Sequence, residues 1–227
     1  MALPTLAADY RNFRLSRINE AEFRHAWYLL FWPLLGLRYI LIERFVIPDQ
    51  YFEVHCFLDD WIPFHEGFIL PYVMWYLLIF GMHVYTFLYD IGAFKRYSRY
   101  LIVAFSLSTT IFLLFPTCQN LRPEVLPRDN ALSRVVSLLY FVDTNTNVCP
   151  SEHVIGSVAA FLASRNTPSL RKPGISVILA VVAFFTSIAT VFLKQHSVVD
   201  VLVALPVCAA AYGICYLIER QKKRGST

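Results

Sequence analysis

Charge is scarce in this chain. Asp, Glu, Lys and Arg make up 16% of its 227 residues, against roughly a quarter in ordinary soluble domains. That shortage excludes a water-soluble domain with a charged shell, and no nucleic-acid partner is expected. Cysteine is sparse and unpatterned as well. Cys56, Cys118, Cys149, Cys208 and Cys215 show no metal-ligand spacing, and an odd count of five rules out complete internal pairing. A Cys118–Cys149 pair stays open. There is no carboxylate cluster suited to Mg²⁺ and no His/Cys set suited to Zn²⁺, so no metal and no cofactor are expected. Repeats and low-complexity tracts are missing. So is the short apolar run with a small-residue cleavage site that marks a signal peptide, and the first apolar segment is expected to direct insertion. Only the ends, about 1–10 and 221–227, read as disordered.

What fills the chain is apolar. Hydrophobic residues reach 57% and the mean hydropathy is +0.51. Runs close to 20 residues recur, the length a helix needs to cross a hydrocarbon core of ~30 Å. They predict an all-α polytopic membrane protein with helices near 26–47, 68–90, 99–117, 152–164, 175–194 and 197–219, flanked by an N-terminal segment 1–25 and a basic tail 220–227. Lys and Arg concentrate in short cytoplasmic loops. Arg11, Arg14, Arg17 and Arg24 precede the first span, Lys95, Arg96 and Arg99 separate the second and third, Arg165, Arg171 and Lys172 the fourth and fifth, and Lys222, Lys223 and Arg224 follow the last. Both termini are therefore expected in the cytoplasm. Residues 48–67 carry Asp49, Glu53, Asp59, Asp60 and Glu66 with no Lys or Arg, as an outer loop would. The loop 118–151 breaks the pattern with Arg122, Arg128 and Arg134, and binding an anion is one reason for cations to sit there.

The polar residues at the outer ends of the spans form a constellation. His196 and Asp200 are four apart, so on a helix they share a face. A carboxylate there fixes the imidazole tautomer and leaves the other nitrogen free to attack, although the same pair would also serve simply to neutralise a helix-end histidine. His153 follows Pro150-Ser151 at the start of another helix, where free N–H groups and the Ser151 hydroxyl suit an anion. Arg122 has the planar fork that suits bidentate contact with phosphate oxygens; anchoring a lipid head group at a helix end is its other reading. Arg128 and Arg134 divide between site and solvated loop, and the turn-prone 143–147 between pocket wall and plain loop.

Arg122-Pro123, Pro150-Ser151-Glu152-His153 and His196 with Asp200 together resemble the three-part signature of the type 2 phosphatidic acid phosphatase superfamily, over roughly residues 58–215. Asp60-Trp61-Ile62-Pro63-Phe64, Pro71-Tyr72, Trp75-Tyr76 and Lys194-Gln195-His196 look more like its inositol phosphorylceramide synthase branch. The resemblance implies a six-helix bundle with its site at the extracytoplasmic or lumenal face. It also implies a phosphorylated membrane lipid as substrate, attack by His196 to form a phosphohistidine, and protonation of the leaving oxygen by His153. Three positions depart from the pattern. Phe115 and Thr190 stand where the superfamily has Lys and Arg, and Glu152 stands where it usually has Gly. Lys194 and Gln119 lie one turn beyond the two missing cations and are candidate replacements, Gln119 without charge. Hydrolysis and head-group transfer both remain open, as do a lipid transporter or scramblase and a catalytically silent relative.

Overall fold

The computed structural model describes residues 5–217; the basic tail and the outermost N-terminal residues lie outside them. The chain is mostly helical, and five helices among the described residues are long and apolar enough to cross a membrane: Arg24–Phe45, Glu66–Tyr89, Ile91–Leu114, Pro173–Phe192 and Val198–Tyr216. The first is a 3-10 stretch, Arg24–Leu30, running into α1, Phe31–Phe45. A two-residue strand β1, Phe52–Glu53, and a one-turn helix α2, Phe57–Trp61, precede α3, Ile69–Tyr89. Then come α4, Ile91–Leu114, and β2, Thr117–Cys118, which pairs in parallel with β1. Next are α5, Ala131–Val142, α6, Glu152–Asn166, α7, Pro173–Phe192, and α8, Val198–Tyr212, which passes into a π-helical turn, Gly213–Leu217.

The expected third span begins too late. α4 starts at Ile91, capped by Asp90, whose side chain accepts from the Ala93 N–H. Lys95, Arg96 and Arg99 therefore sit on the helix, not in a loop. Hydropathy follows side chains, whereas a helix end follows its cap. The expected fourth span differs in kind. At 15 residues α6 is about 22 Å long, short of a ~30 Å core, and it lies inside the bundle. Val154, Ile155, Ala159, Ala160 and Ala163 pack into the main apolar cluster with Leu101 and Ala104 of α4 and Ala204 of α8. Gly156 makes the approach to α3 close: a Cβ there would lie 2.3 Å from Ile79 Cδ1 and 2.9 Å from Trp75 Nε1.

Part of the N-terminal stretch expected to be disordered packs on the bundle, while residues 1–4 and 221–227 lie outside the described residues. Tyr10 stacks on Phe87, its hydroxyl bonds His25, and Ala7 N–H donates to Leu88 O. Cys118 and Cys149 are free thiols, so the disulfide left open by the sequence is not formed.

Chain reversal brings one end of every helix to the same side of the bundle. The ends of α1, α4 and α7 meet the beginnings of α3, α6 and α8 there, tied by β1–β2, by His65 N–H to Phe192 O and by Ser151 N–H to Asp200 O. Residues 115–151 close over that end, with α5 as an amphipathic brace the sequence reading left as loop. Tyr140 of α5 donates to Leu193 O at 2.6 Å.

Candidate active site

The turn between α7 and α8 presents the first histidine. α7 ends with Lys194 at φ 53°, the left-handed conformation that often terminates helices. Gln195 and His196 N–H groups then both donate to Thr190 O. Gln119, fully buried, holds the turn from beneath: its amide donates to Lys194 O at 2.8 Å and its oxygen accepts from Leu121 N–H at 2.6 Å. Gln119 is thus placed under the turn, not in a cavity. α8 begins in a capping box, Ser197 with Asp200, and Asp200 Oδ2 accepts from the Ser197 N–H at 2.9 Å.

The same oxygen is 3.1 Å from His196 Nδ1. An Nδ1–H donated to this carboxylate leaves Nε2 with a lone pair, and Nε2 lies 3.4 Å from His153 Nδ1. His153 is held at the first turn of α6. Its ring lies 4.7 Å from that of Tyr72 and 4.6 Å from that of Trp75, whose indole N–H donates to His153 O at 2.8 Å. The structure therefore assembles His153, His196 and Asp200 into one chain of contacts.

Both histidines face a polar cavity of about 80 Å³. Its charged walls are Glu43, Asp143 and Glu152, with Arg38 as their cation. Arg38 is the residue the sequence reading missed, although a lone Arg inside an apolar span, Leu37-Arg38-Tyr39, is costly enough to be a signal in itself. It grips Glu152 with both terminal nitrogens, at 2.7 and 2.8 Å, and also donates to Thr109 Oγ1. Glu43 accepts from Thr144, Thr146 and Asn147, all near 2.8 Å, which pins the 143–147 loop to α1. Asp143 accepts from Tyr72 and Gln195, both at 3.3 Å, and burial raises its pKa against the pull of His196 and Arg122.

The remaining candidates stand further back. Arg122 crosses behind Gln195. It donates to Asp143 O and Thr144 O at 2.9 and 2.7 Å and to Gln195 Oε1, stacks on Tyr140 at 4.6 Å, and has its pKa lowered by burial. As arranged it braces the cavity wall. Lys194 is buried with Nζ on Asp59 O at 2.6 Å, and burial lowers its pKa in spite of Asp59 and Asp60. Ser151 is fully buried and its hydroxyl has no partner. Arg128 and Arg134 are not brought to the cavity. Arg128 pairs with Glu66 at the foot of α3 and Arg134 with Asp129 in the open. The two positions where the resemblance expects cations stay neutral: Phe115 is exposed, and Thr190 is buried with its hydroxyl on Ser187 O. Among the described residues, no three His, Cys, Asp or Glu side chains are grouped to hold a metal ion.

Comparison with known families adds one finding. A family model described as the PAP2 superfamily matches residues 96–224, more than half of the chain, and spans both histidines and Asp200. Neither a curated protein nor a solved structure matches.

Proposed function

We propose, from the premise that this chain belongs to the PAP2 superfamily, that it transfers the phosphoryl or phosphate head group of a membrane lipid through His196 at a site on the extracytoplasmic or lumenal side. Members of the superfamily are generally phosphatases acting on phosphorylated substrates. The observation that carries the finer reading is the contact chain Asp200–His196–His153, at 3.1 and 3.4 Å, opening on a polar cavity at a membrane protein's helix ends. In the reaction, the His196 Nε2 lone pair bonds phosphorus while the bond to the leaving oxygen breaks, and His153 gives that oxygen its proton. Asp200 stabilises the cationic ring. His153 then takes a proton from water or an acceptor hydroxyl, whose oxygen displaces the histidine. In this reading α6 is a sixth, shorter crossing, buried by its neighbours.

Two observations bear on the alternatives. The cavity has three carboxylates and one arginine among its charged walls, a balance that suits a singly charged phosphodiester better than a doubly charged monoester and favours head-group transfer. Deeper in the bundle, His83 is packed among the rings of Trp32, Phe94 and Tyr97, which favours a catalytic site at one end over a transport path.

The test is trapping of a phosphoenzyme. Purified protein given ³²P-labelled lipid phosphate should form an acid-labile, base-stable label that His196→Ala abolishes. Asp200→Asn should lower turnover by about 10²–10⁴-fold through loss of imidazole orientation. Label or near-normal turnover in His196→Ala overturns the mechanism.

A further inference from the structure

Arg38 borders two spaces. On one side is the polar cavity with His153 and His196. On the other is an apolar groove of about 530 Å³ between the first span and α4, lined by residues such as Phe31, Leu34, Ile102, Phe105 and Ser106. That volume is in the range of ligand pockets, ~300–1,000 Å³. The two spaces have Arg38 as a common wall.

The way α1 is attached explains the groove. Its site end is tied to the bundle by polar groups, Arg38 to Glu152 and Thr109, and Glu43 to the 143–147 loop. Ile42 is its only buried residue, and Leu34, Leu37, Ile40 and Leu41 are exposed. α1 therefore stands off from α4 along the groove and is pinned at the cavity.

The hydrogen-bond inventory of Arg38 is unfinished. A guanidinium has five N–H donors in two forks. The end-on fork, Nη1 with Nη2, holds both oxygens of Glu152. On the side-on fork, Nε is buried without a partner among the described residues, and Nη2 donates to Glu152 alone among them. A buried, unpaired donor on a cation is expensive, and two phosphate oxygens match this fork. Glu152 need not be released for Arg38 to take them.

We propose that the side-on fork of Arg38 binds the phosphate of the substrate, and that the groove between α1 and α4 holds the chain of the same lipid. This rests on the reading of the protein as a lipid phosphoryl-transfer enzyme, and it supplies from α1, outside the matched residues 96–224, a cation that Phe115 and Thr190 do not provide. The chemistry of the two ends selects the occupant: acceptor oxygens for the unfilled donors of Arg38, and an apolar chain for the groove beside it.

Equilibrium binding tests it separately from turnover, using a fluorescent long-chain alkyl phosphate and the alcohol of the same chain with purified protein in detergent. Wild type should prefer the phosphate. Arg38→Gln alone would strand Glu152, so the informative variant is Arg38→Gln with Glu152→Gln, which leaves two neutral amides facing each other. That pair should weaken phosphate binding tenfold or more and leave alcohol binding unchanged. Ser106→Trp, which fills the groove, should weaken both ligands at least tenfold, while Ile178→Trp on the exposed face of α7, away from the groove, should weaken neither. Phosphate affinity within twofold of wild type in the double variant, undiminished binding in Ser106→Trp, or a wild type that does not distinguish phosphate from alcohol overturns the proposal. Normal binding without turnover of any phosphate ester leaves it standing and overturns the proposed function alone.

Discussion

Asp59 shows how much of the site is held by a residue that never faces the cavity. Its carboxylate is almost wholly buried and accepts from Ser197 Oγ at 2.6 Å, from Val198 N–H at 2.8 Å and from Cys56 N–H at 2.8 Å. It thus satisfies the free Val198 N–H at the start of α8, favours the positive end of that helix, and fixes Ser197 and Val198 beside His196. Burial pushes its pKa up, but the bonds from Ser197, Val198 and Cys56 outweigh burial and hold it below the ordinary 3.8. A depressed carboxylate contributes stability above its unfolded pKa and loses it as pH falls through the folded one. Asp59→Asn should therefore cost about 1–3 kcal/mol at pH 7, and the gap to wild type should narrow below about pH 4. Thermal unfolding in detergent across pH 3–8 measures this; a gap that does not change with pH would mean the carboxylate charge contributes nothing.

Among the elements, α6 carries most of the burden of positioning. It brings Glu152 to Arg38 and His153 to His196, and it does so because Gly156 lets its backbone reach α3 at Trp75 and Ile79. Trp75 returns the contact by holding His153 O. Gly156→Ala must move both Ile79 and Trp75, at a cost of about 1–3 kcal/mol for overpacking. Turnover should fall more than stability, because one of the displaced groups is the one that orients His153. Unfolding and kcat/KM measured together decide it: a variant as active and stable as wild type would show that α6 and α3 have slack.

The same helix marks the limit of what the sequence could tell. Apart from the third, which starts eight residues before its expected position, apolar runs gave the long spans to within a few residues, and the i, i+4 spacing of His196 and Asp200 correctly implied a shared face. Long-range partnerships left no local pattern. Nothing near Glu152 in sequence names Arg38, 114 residues away, and nothing near Gln119 shows that it sits beneath a turn 75 residues on. Cations were sought where the loop charge pattern broke, which left Arg128 and Arg134 divided between site and solvated loop; their pairing with Glu66 and Asp129 holds both away from the cavity. The informative clue was energetic. An arginine within an apolar span needs a partner, and Arg38 was the one to follow.

At the scale of the whole molecule, charge is distributed by end. Opposite the cavity, the bundle carries Lys95, Arg96, Arg165, Arg171 and Lys172 near the α3–α4 and α6–α7 connections. The cavity end carries most of its charge as carboxylates, and three of its arginines are in ion pairs, Arg38 with Glu152, Arg128 with Glu66 and Arg134 with Asp129. Retention of cations on the cytoplasmic side predicts that the cavity faces outward. Single cysteines test this. Cys56 and Cys118 are partly accessible and need replacement by Ser, whereas Cys149, Cys208 and Cys215 are buried. In that background, Glu124→Cys, exposed on the loop covering the site, should react with a membrane-impermeant maleimide on intact cells or sealed right-side-out vesicles. Lys172→Cys, exposed at the other end, should react only after permeabilisation. Were the chain held in an internal membrane, Glu124→Cys would need that membrane opened, while Lys172→Cys would label once the plasma membrane alone is breached. Labelling of Lys172→Cys from the side where Glu124→Cys is expected would place the histidines on the cytoplasmic face, and the lipid substrate would then have to come from the opposite leaflet.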